Sequence, residues 1–254
     1  MSLLESVLVA LAGLAAGTIN TVVGSGTLVT FPTLLAFGVP PVTANVSNNI
    51  GLVPGSVAGA LGYRDELAGQ RARVLRLLSA SLLGGAAGAV LLLVLPAGAF
   101  EAVVPALVLL GVVLVVVQPR LSAWVRRRAE VRGAERPDGA WWVWPAVLLT
   151  GVYGGYFGAA QGVLLMGVLG IGVAQSLQRS NAVKNVLAAG VNGVAGVIFA
   201  VVADVDWTVV ALIGGGSVVG GLVGARVGKR LPPPALRTTI VVVGLVAFTA
   251  LLLS

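Results

Sequence analysis

The stretch GTINTVVGSG, residues 17–26, interrupts an apolar segment that runs from residue 4 to residue 37. A second glycine-rich stretch, GGYFGAAQG at residues 154–162, interrupts an apolar segment over residues 142–173. Each segment is too long for one crossing, which takes about 20 residues, and the pieces beside each break, roughly 12 residues long, are short for one. The sequence therefore predicts two broken helical hairpins.

The composition of the whole chain is that of a membrane protein. Hydrophobic residues make up 57% of the 254 residues and charged residues 10%, whereas soluble domains carry roughly 25% charged residues. Apolar runs of about 20 residues recur along the chain, which indicates an all-α polytopic membrane protein. Six full spans are predicted, at residues 43–62, 76–95, 100–117, 180–203, 207–225 and 237–253.

The residue types that the chain lacks exclude several kinds of chemistry. There is no cysteine and no histidine, so thiol catalysis, disulfides, zinc sites and histidine proton relays are excluded. No cofactor is expected. The net charge of +7 is explained by basic cytoplasmic loops and does not indicate nucleic acid.

The distribution of charge favours one topology. Basic clusters occupy residues 64–76, 120–136 and 226–237, whereas the connections at Glu101 and at residues 204–206 are acidic. If each broken segment enters and returns on one side, all basic loops and Arg179 lie inside and the acidic connections lie outside. The positive-inside rule favours this count over one in which the broken segments are full crossings. Both termini are then outside.

The two halves of the chain also match each other in sequence. An offset of 136 aligns Asn45, Asn49 and Ser56 with asparagines of the second half, and an offset of 138 aligns three glycines of each hairpin. Three crossings per unit make the repeats inverted, as in many secondary transporters. The predicted divisions are a first repeat over residues 1–117, a basic cytoplasmic linker over 118–140 and a second repeat over 141–254.

Two predicted spans carry matched polar faces, NVSNN at residues 45–49 and NAVKN at residues 181–185. The polar residues are spaced i, i+3 and i+4, so each set lies on one helix face. A polar group in hydrocarbon needs a partner or a cavity. Two interpretations stay open: the side chains bind the broken backbone of the hairpins, or they line a substrate site.

The hairpin tips predict the chemistry of such a site. A half-helix that begins after a glycine-rich turn presents free N–H groups and a positive dipole end. Lys184 is the only basic residue well inside a predicted span, and no Asp or Glu is. Donors without carboxylates suit an oxyanion. The candidate substrate-binding residues are Asn20, Thr21, Gly24, Ser25, Gly26, Asn45, Asn48, Asn49, Gly158, Gln161, Gly162, Asn181, Lys184 and Asn185.

Over nearly its whole length the chain resembles a known family. GTINTVVGSGTLVTFPTLLAFGVPPVTANVSNNIG, followed by GVYGGYFGAAQGVLL and SNAVKNVL, resembles the TauE/SafE family of sulfite-exporter-like permeases. The resemblance implies a multi-pass transporter of the bacterial inner membrane for sulfite, sulfonates or related small anions. One departure is GAAQG, where the family would have a more glycine-rich loop; Gln161 stands there.

Several functions are compatible with these features. The leading hypothesis is a transporter or facilitator that exports a small sulfur-containing oxyanion; the alternative is a carrier for another small solute that works in uptake, with or without a coupling ion. The expected partners are a small anion and membrane lipid, and a homo-oligomer is left open. An intramembrane enzyme would have to use Ser47 or Ser180 with Lys184, and a purely structural scaffold would not need two matched polar breaks.

Overall fold

The computed structural model describes residues 1–132 and 139–227, together with residues 241, 242, 245, 248 and 249. Within these residues the chain forms nine α-helices and one turn of 3-10 helix, and no β-strand. The α-helices are α1 (Leu3–Val22), α2 (Thr27–Ala36), α3 (Pro41–Gly62), α4 (Arg71–Val94), α5 (Ala97–Arg132), α6 (Val143–Tyr156), α7 (Gln161–Gly172), α8 (Leu177–Val202) and α9 (Trp207–Val227). The predicted all-α class is confirmed.

Five of the described helices are long and apolar enough to cross a membrane, namely α1, α4, α8, α9 and the part of α5 from Ala97 to Arg120. The helix α3 is 22 residues long but is not among them, because its polar face lowers its mean hydropathy. The predicted span 237–253 lies largely outside the described residues. The chain is a multi-pass membrane protein.

The first break is shorter than the sequence suggested. Helix α1 continues for 20 residues to Val22, so only residues 23–26 separate it from α2, and the expectation of a piece of roughly 12 residues is wrong for α1. The reason is the role of Gly17. A Cβ atom there would overlap the backbone of Ser217 on α9, so this glycine serves close helix packing and not a chain break.

The second break lies closer to the expectation. Helices α6 and α7 have 14 and 12 residues, and residues 157–160 separate them. In both halves a short helix therefore follows a break of four residues. The break is tight because Gly158 and Ala160 both have positive φ values, 77° and 60°.

The direction of the first broken hairpin follows from its contacts with α9. Gly13 lies against Ile213 and Gly17 against Ser217, so α1 and α9 run parallel. On α3, Gly51 also lies against Ile213, and Gly55 against Ser217. Because α1 and α3 run in the same direction, α2 must return between them.

The second half repeats this arrangement around α4. Gly84 and Gly88 of α4 lie against the carbonyl oxygens of Leu148 and Val152 of α6, so these two helices are parallel.

Helix α8 also runs parallel to α4. Leu78 lies beside Gly190, and Gly85 lies beside Val194. Because α6 and α8 both run parallel to α4, α7 must return between them.

The two central helices α3 and α8 run antiparallel. Tyr63, at the end of α3, packs with Ala182 near the start of α8, while Asn192, further along α8, donates to Ser56, 3.4 Å away. The directions of the first three helices are therefore opposite to those of α6, α7 and α8.

The first and last residues of the helices give the sequence offset between the two halves. Helices α3 and α8 begin 136 residues apart, as do α4 and α9, which is the predicted offset. Helices α2 and α7 begin 134 residues apart, and α1 and α6 end 134 residues apart. The expected offset of 138 for the hairpin glycines is therefore wrong: the equivalent of Gly24 in the second break is Gly158, also with a positive φ, and not Gly162.

One helix extends into the predicted linker. Helix α5 runs for 36 residues to Arg132, so residues 118–132, assigned to the linker over 118–140, are helical.

At the basic end of the bundle, Arg179 donates to the carbonyl of Ala68, 2.9 Å away, and Arg73 donates to Gln175, 2.8 Å away. The two halves are therefore joined at this end by hydrogen bonds from arginines.

Candidate functional site

The two broken hairpins meet at their tips. The backbone N–H of Gly162, at the start of α7, donates to the carbonyl of Gly24 in the first break, 3.0 Å away. A Cβ atom on either residue would overlap the backbone of the other, and Gly24 has a φ of +91°. Both positions therefore require glycine, because the close approach that they permit is between the breaks themselves.

The end of α1 is capped by side chains of the other half. The Lys184 Nζ donates to the carbonyls of Asn20, 2.8 Å away, and Thr21, 3.2 Å away. Asn181 and Asn185 also donate to the Thr21 carbonyl, at 3.1 and 3.5 Å. The last carbonyls of a helix lack intrahelical partners and carry its negative dipole end, so amide donors and an ammonium group stabilise them.

The end of α6 receives a cap from the first half in return. Asn45 of α3 donates through Nδ2 to the carbonyl of Tyr156, the last residue of α6, 2.9 Å away. Asn45 is 136 positions before Asn181, which caps α1. Each of these two asparagines therefore satisfies the broken helix of the other half.

The remaining polar residues of α3 bind elsewhere. Asn48 accepts a hydrogen bond from Thr30 and donates to Thr27, 3.4 Å away, both on α2. Asn49 donates to Asn192 of α8, 3.5 Å away. Asn48 therefore fixes the returning helix of its own hairpin, and Asn49 joins the two central helices.

A pocket lies between the two breaks and the central helices. Of the candidates from the sequence, its lining includes Asn20, Thr21, Gly24, Gly158, Gln161, Gly162, Lys184 and Asn185. The candidates Ser25, Gly26, Asn45, Asn48, Asn49 and Asn181 do not line it. Ser25 is buried, and the N–H of Gly26 donates to the side chain of Asn20, 2.6 Å away.

Four lining residues were not among the candidates, namely Thr27, Ser56, Ala188 and Asn192. A signal for two of them was present in the sequence, because the offset of 136 pairs Ser56 with Asn192. The hydrogen bond between these two residues puts this pair where α3 and α8 cross. Thr27 is the first residue of α2 and directly follows the break.

The side chain of Gln161, a lining residue of the pocket, carries a buried donor. It is only 4% exposed, and its Nε2 has no hydrogen-bond partner among the described residues. The amide packs on Gly154, where a Cβ atom would overlap it. A buried donor without a partner costs about 1–3 kcal/mol, which a ligand with an acceptor oxygen would remove.

The charge of the pocket comes from Lys184, which is fully buried. In the part of the chain that the structure describes, no Asp or Glu lines the pocket. The two serines considered as nucleophiles have other partners: Ser47 accepts from the backbone of Asp206, 2.9 Å away, and Ser180 accepts from Gln175, 3.1 Å away. The hydrogen bonds of the Lys184 Nζ go to the carbonyls of Asn20 and Thr21 and not to either serine.

Comparison with known proteins identifies the family of the chain. The family model described as sulfite exporter TauE/SafE matches residues 9–251. A protein of Sinorhizobium sp named "Probable membrane transporter protein ORF9" is 26% identical over 243 residues, which cover 92% of this chain and 87% of that protein. No solved structure matches the chain. Because the family model spans nearly all of the sequence, the chain belongs to the TauE/SafE family of membrane transporters.

Proposed function

We propose that the protein is a secondary transporter or facilitator that exports a small sulfur-containing oxyanion, sulfite or an organosulfonate. The observation that carries this proposal is the pocket between the breaks: among the described residues its lining includes the buried Lys184 and Gln161, whose Nε2 has no partner, and no carboxylate. Oxyanions accept hydrogen bonds from such donors, and charge-assisted bonds are the stronger ones. The family description, sulfite exporter, supports the choice of sulfur oxyanions.

The proposed transport unit is a pair of inverted repeats. Three observations support it: the parallel runs of α1, α3 and α9, the opposite parallel runs of α4, α6 and α8, and the equal spacing of the helix starts. In transporters of this kind the substrate lies at the interface of the repeats, beside broken helices. The pocket that Gly24 and Gly158 line with α3 and α8 fits that description.

The driving force for export is the membrane potential. Proton-coupled carriers use an embedded carboxylate or histidine. The chain has no histidine, and none of the described residues that line the pocket is a carboxylate. The export of an anion from a cell that is negative inside is favoured by about 2.3 kcal/mol per charge per 100 mV of membrane potential. Facilitated diffusion along that gradient needs no coupling residue.

Flux into proteoliposomes tests the proposal. Purified full-length protein is reconstituted, a potential is set with potassium and valinomycin, and the movement of sulfite, sulfate, sulfoacetate and taurine is measured against protein-free liposomes. We expect sulfite or an organosulfonate to move faster than in the protein-free vesicles, and faster when the potential draws anions across. Flux of none of the four compounds above the protein-free rate would contradict the proposal.

A further inference from the structure

The charge balance of the pocket distinguishes between anions of similar size. Among the residues that the structure describes, the lining contains one cationic side chain, that of Lys184, and no acidic one. We propose that this pocket selects singly charged oxyanions over doubly charged oxyanions of the same size, an inference that rests on the proposed function.

The dipoles of the broken helices do not add to that single charge. Each break brings together one helix C-terminus and one helix N-terminus: α1 ends and α2 begins at the first, and α6 ends and α7 begins at the second. Their partial charges, about −0.5 and +0.5, are opposite in sign. Thr27 and Gln161, the first residues of α2 and α7, line the pocket beside Gly24 and Gly158, so both signs are present at each break.

The two arginines that join the halves at the basic end of the bundle do not supply a second charge. Arg179 is directed to the carbonyl of Ala68, and Arg73 donates to Gln175 and to Gln70, 2.9 Å away. Neither arginine is among the lining residues. The other side chains with polar atoms in the lining are neutral amides and hydroxyls.

A buried ion pair is tolerated when its charges balance. A singly charged oxyanion beside the Lys184 ammonium makes a neutral pair, and the Gln161 Nε2 donates to a further oxygen. A doubly charged anion would leave one negative charge buried without a counterion, and an uncompensated buried charge carries a desolvation cost that neutral donors only partly offset. The preference therefore follows from charge number and not from size.

Isethionate and sulfoacetate provide a matched pair of probes. Both are two-carbon sulfonates, but the first ends in a hydroxyl group and the second in a carboxylate, so at neutral pH they differ by one charge. We expect the purified full-length protein to bind isethionate tighter than sulfoacetate by a factor on the order of tenfold or more, by calorimetry and by competition for sulfite flux. Equal or tighter binding of sulfoacetate would overturn the inference and leave the proposed function intact. Binding of neither compound, together with no sulfite flux, would overturn both.

A charge variant tests the cause of the preference. Asn192→Lys adds a second cation to the pocket lining, and Asn192→Gln changes the length of the same side chain without adding charge. We expect the ratio of isethionate to sulfoacetate affinity to fall in Asn192→Lys and to stay near the wild-type value in Asn192→Gln. An unchanged ratio in folded Asn192→Lys protein would contradict charge counting as the basis of selection.

Discussion

The Nζ of Lys184 on α8 lies 2.8 Å from the carbonyl oxygen of Asn20 in the last turn of α1. Lys184, the one cation among the described residues that line the pocket, is thus held by the broken helix of the other half. The same side chain neutralises the dipole end of α1 and supplies the charge of the proposed anion site. Movement of α1 relative to α8 would therefore change the position of that charge.

The caps of the two broken helices differ in how many donors they have. The Thr21 carbonyl accepts from Asn181, Asn185 and Lys184, whereas Asn45 is the side-chain donor to Tyr156 within the described ranges. We expect Asn45→Ala to lower stability by about 1–3 kcal/mol, because a partly buried carbonyl loses its partner, and Asn181→Ala to lower it less. Thermal unfolding in detergent measures both. A larger loss in Asn181→Ala would contradict the capping arrangement.

The contact between the breaks makes Gly24 sensitive to substitution. In Gly24→Ala the new Cβ would overlap the backbone of Gly162, in addition to the cost of a positive φ. Gly38→Ala is the matched control, because Gly38 has a φ of 77° with open space around it, so only the backbone cost of about 1–2 kcal/mol applies. We expect Gly24→Ala to unfold at a clearly lower temperature than Gly38→Ala. Equal melting temperatures would show that the tips are not in close contact.

A negative charge at Gln161 would compete with the substrate for Lys184. Gln161→Glu preserves the size of the side chain and puts a carboxylate beside the ammonium, so we expect anion affinity to fall at least about tenfold while the fold is retained. Gln118→Glu is the control, since Gln118 is also buried but does not line the pocket. There we expect lower stability and unchanged affinity. Wild-type affinity in Gln161→Glu would exclude this residue from the site.

The absence of cysteine allows the topology to be mapped by single-cysteine labelling. We expect Ser2→Cys and Gly98→Cys to react with an impermeant maleimide from outside, and Arg64→Cys to react only from the cytoplasmic side. The reason is that α1 and α3 run parallel, so Ser2 lies at the opposite end of the bundle from Arg64. Labelling of Ser2→Cys together with Arg64→Cys from the cytoplasm would contradict the inverted-repeat proposal.

The sequence alone was sufficient to predict the helical class and the main helices. Long apolar runs determine these, because their length and composition leave few alternatives. Helices α3, α8 and α9 begin within three residues of the positions predicted from residues 43, 180 and 207. The family assignment also followed from the motifs at both breaks, and the match over residues 9–251 confirmed it.

The exact positions of the breaks and several contacts at the site could not be predicted from the sequence. A glycine in an apolar run permits either a break or close packing, and only the neighbouring helix decides which: Gly17 packs on α9, whereas Gly24 turns the chain. The asparagine faces were similarly ambiguous. In the structure Asn45, Asn181 and Asn185 all bind helix ends, as the first interpretation expected. Asn185 also lines the pocket, and its role in a substrate site stays a prediction.

The central claim, that an anion binds beside Lys184, is tested most directly by sulfite affinity and flux in Lys184→Gln protein. Glutamine retains a donor for the α1 carbonyls but removes the charge, and Lys184→Arg serves as the control that retains the charge with a different geometry. With folding verified by thermal unfolding, we predict that Lys184→Gln loses sulfite binding and flux, by at least about tenfold, and that Lys184→Arg retains part of both. Wild-type affinity and flux in Lys184→Gln would show that the lysine serves only to cap α1 and would contradict the account.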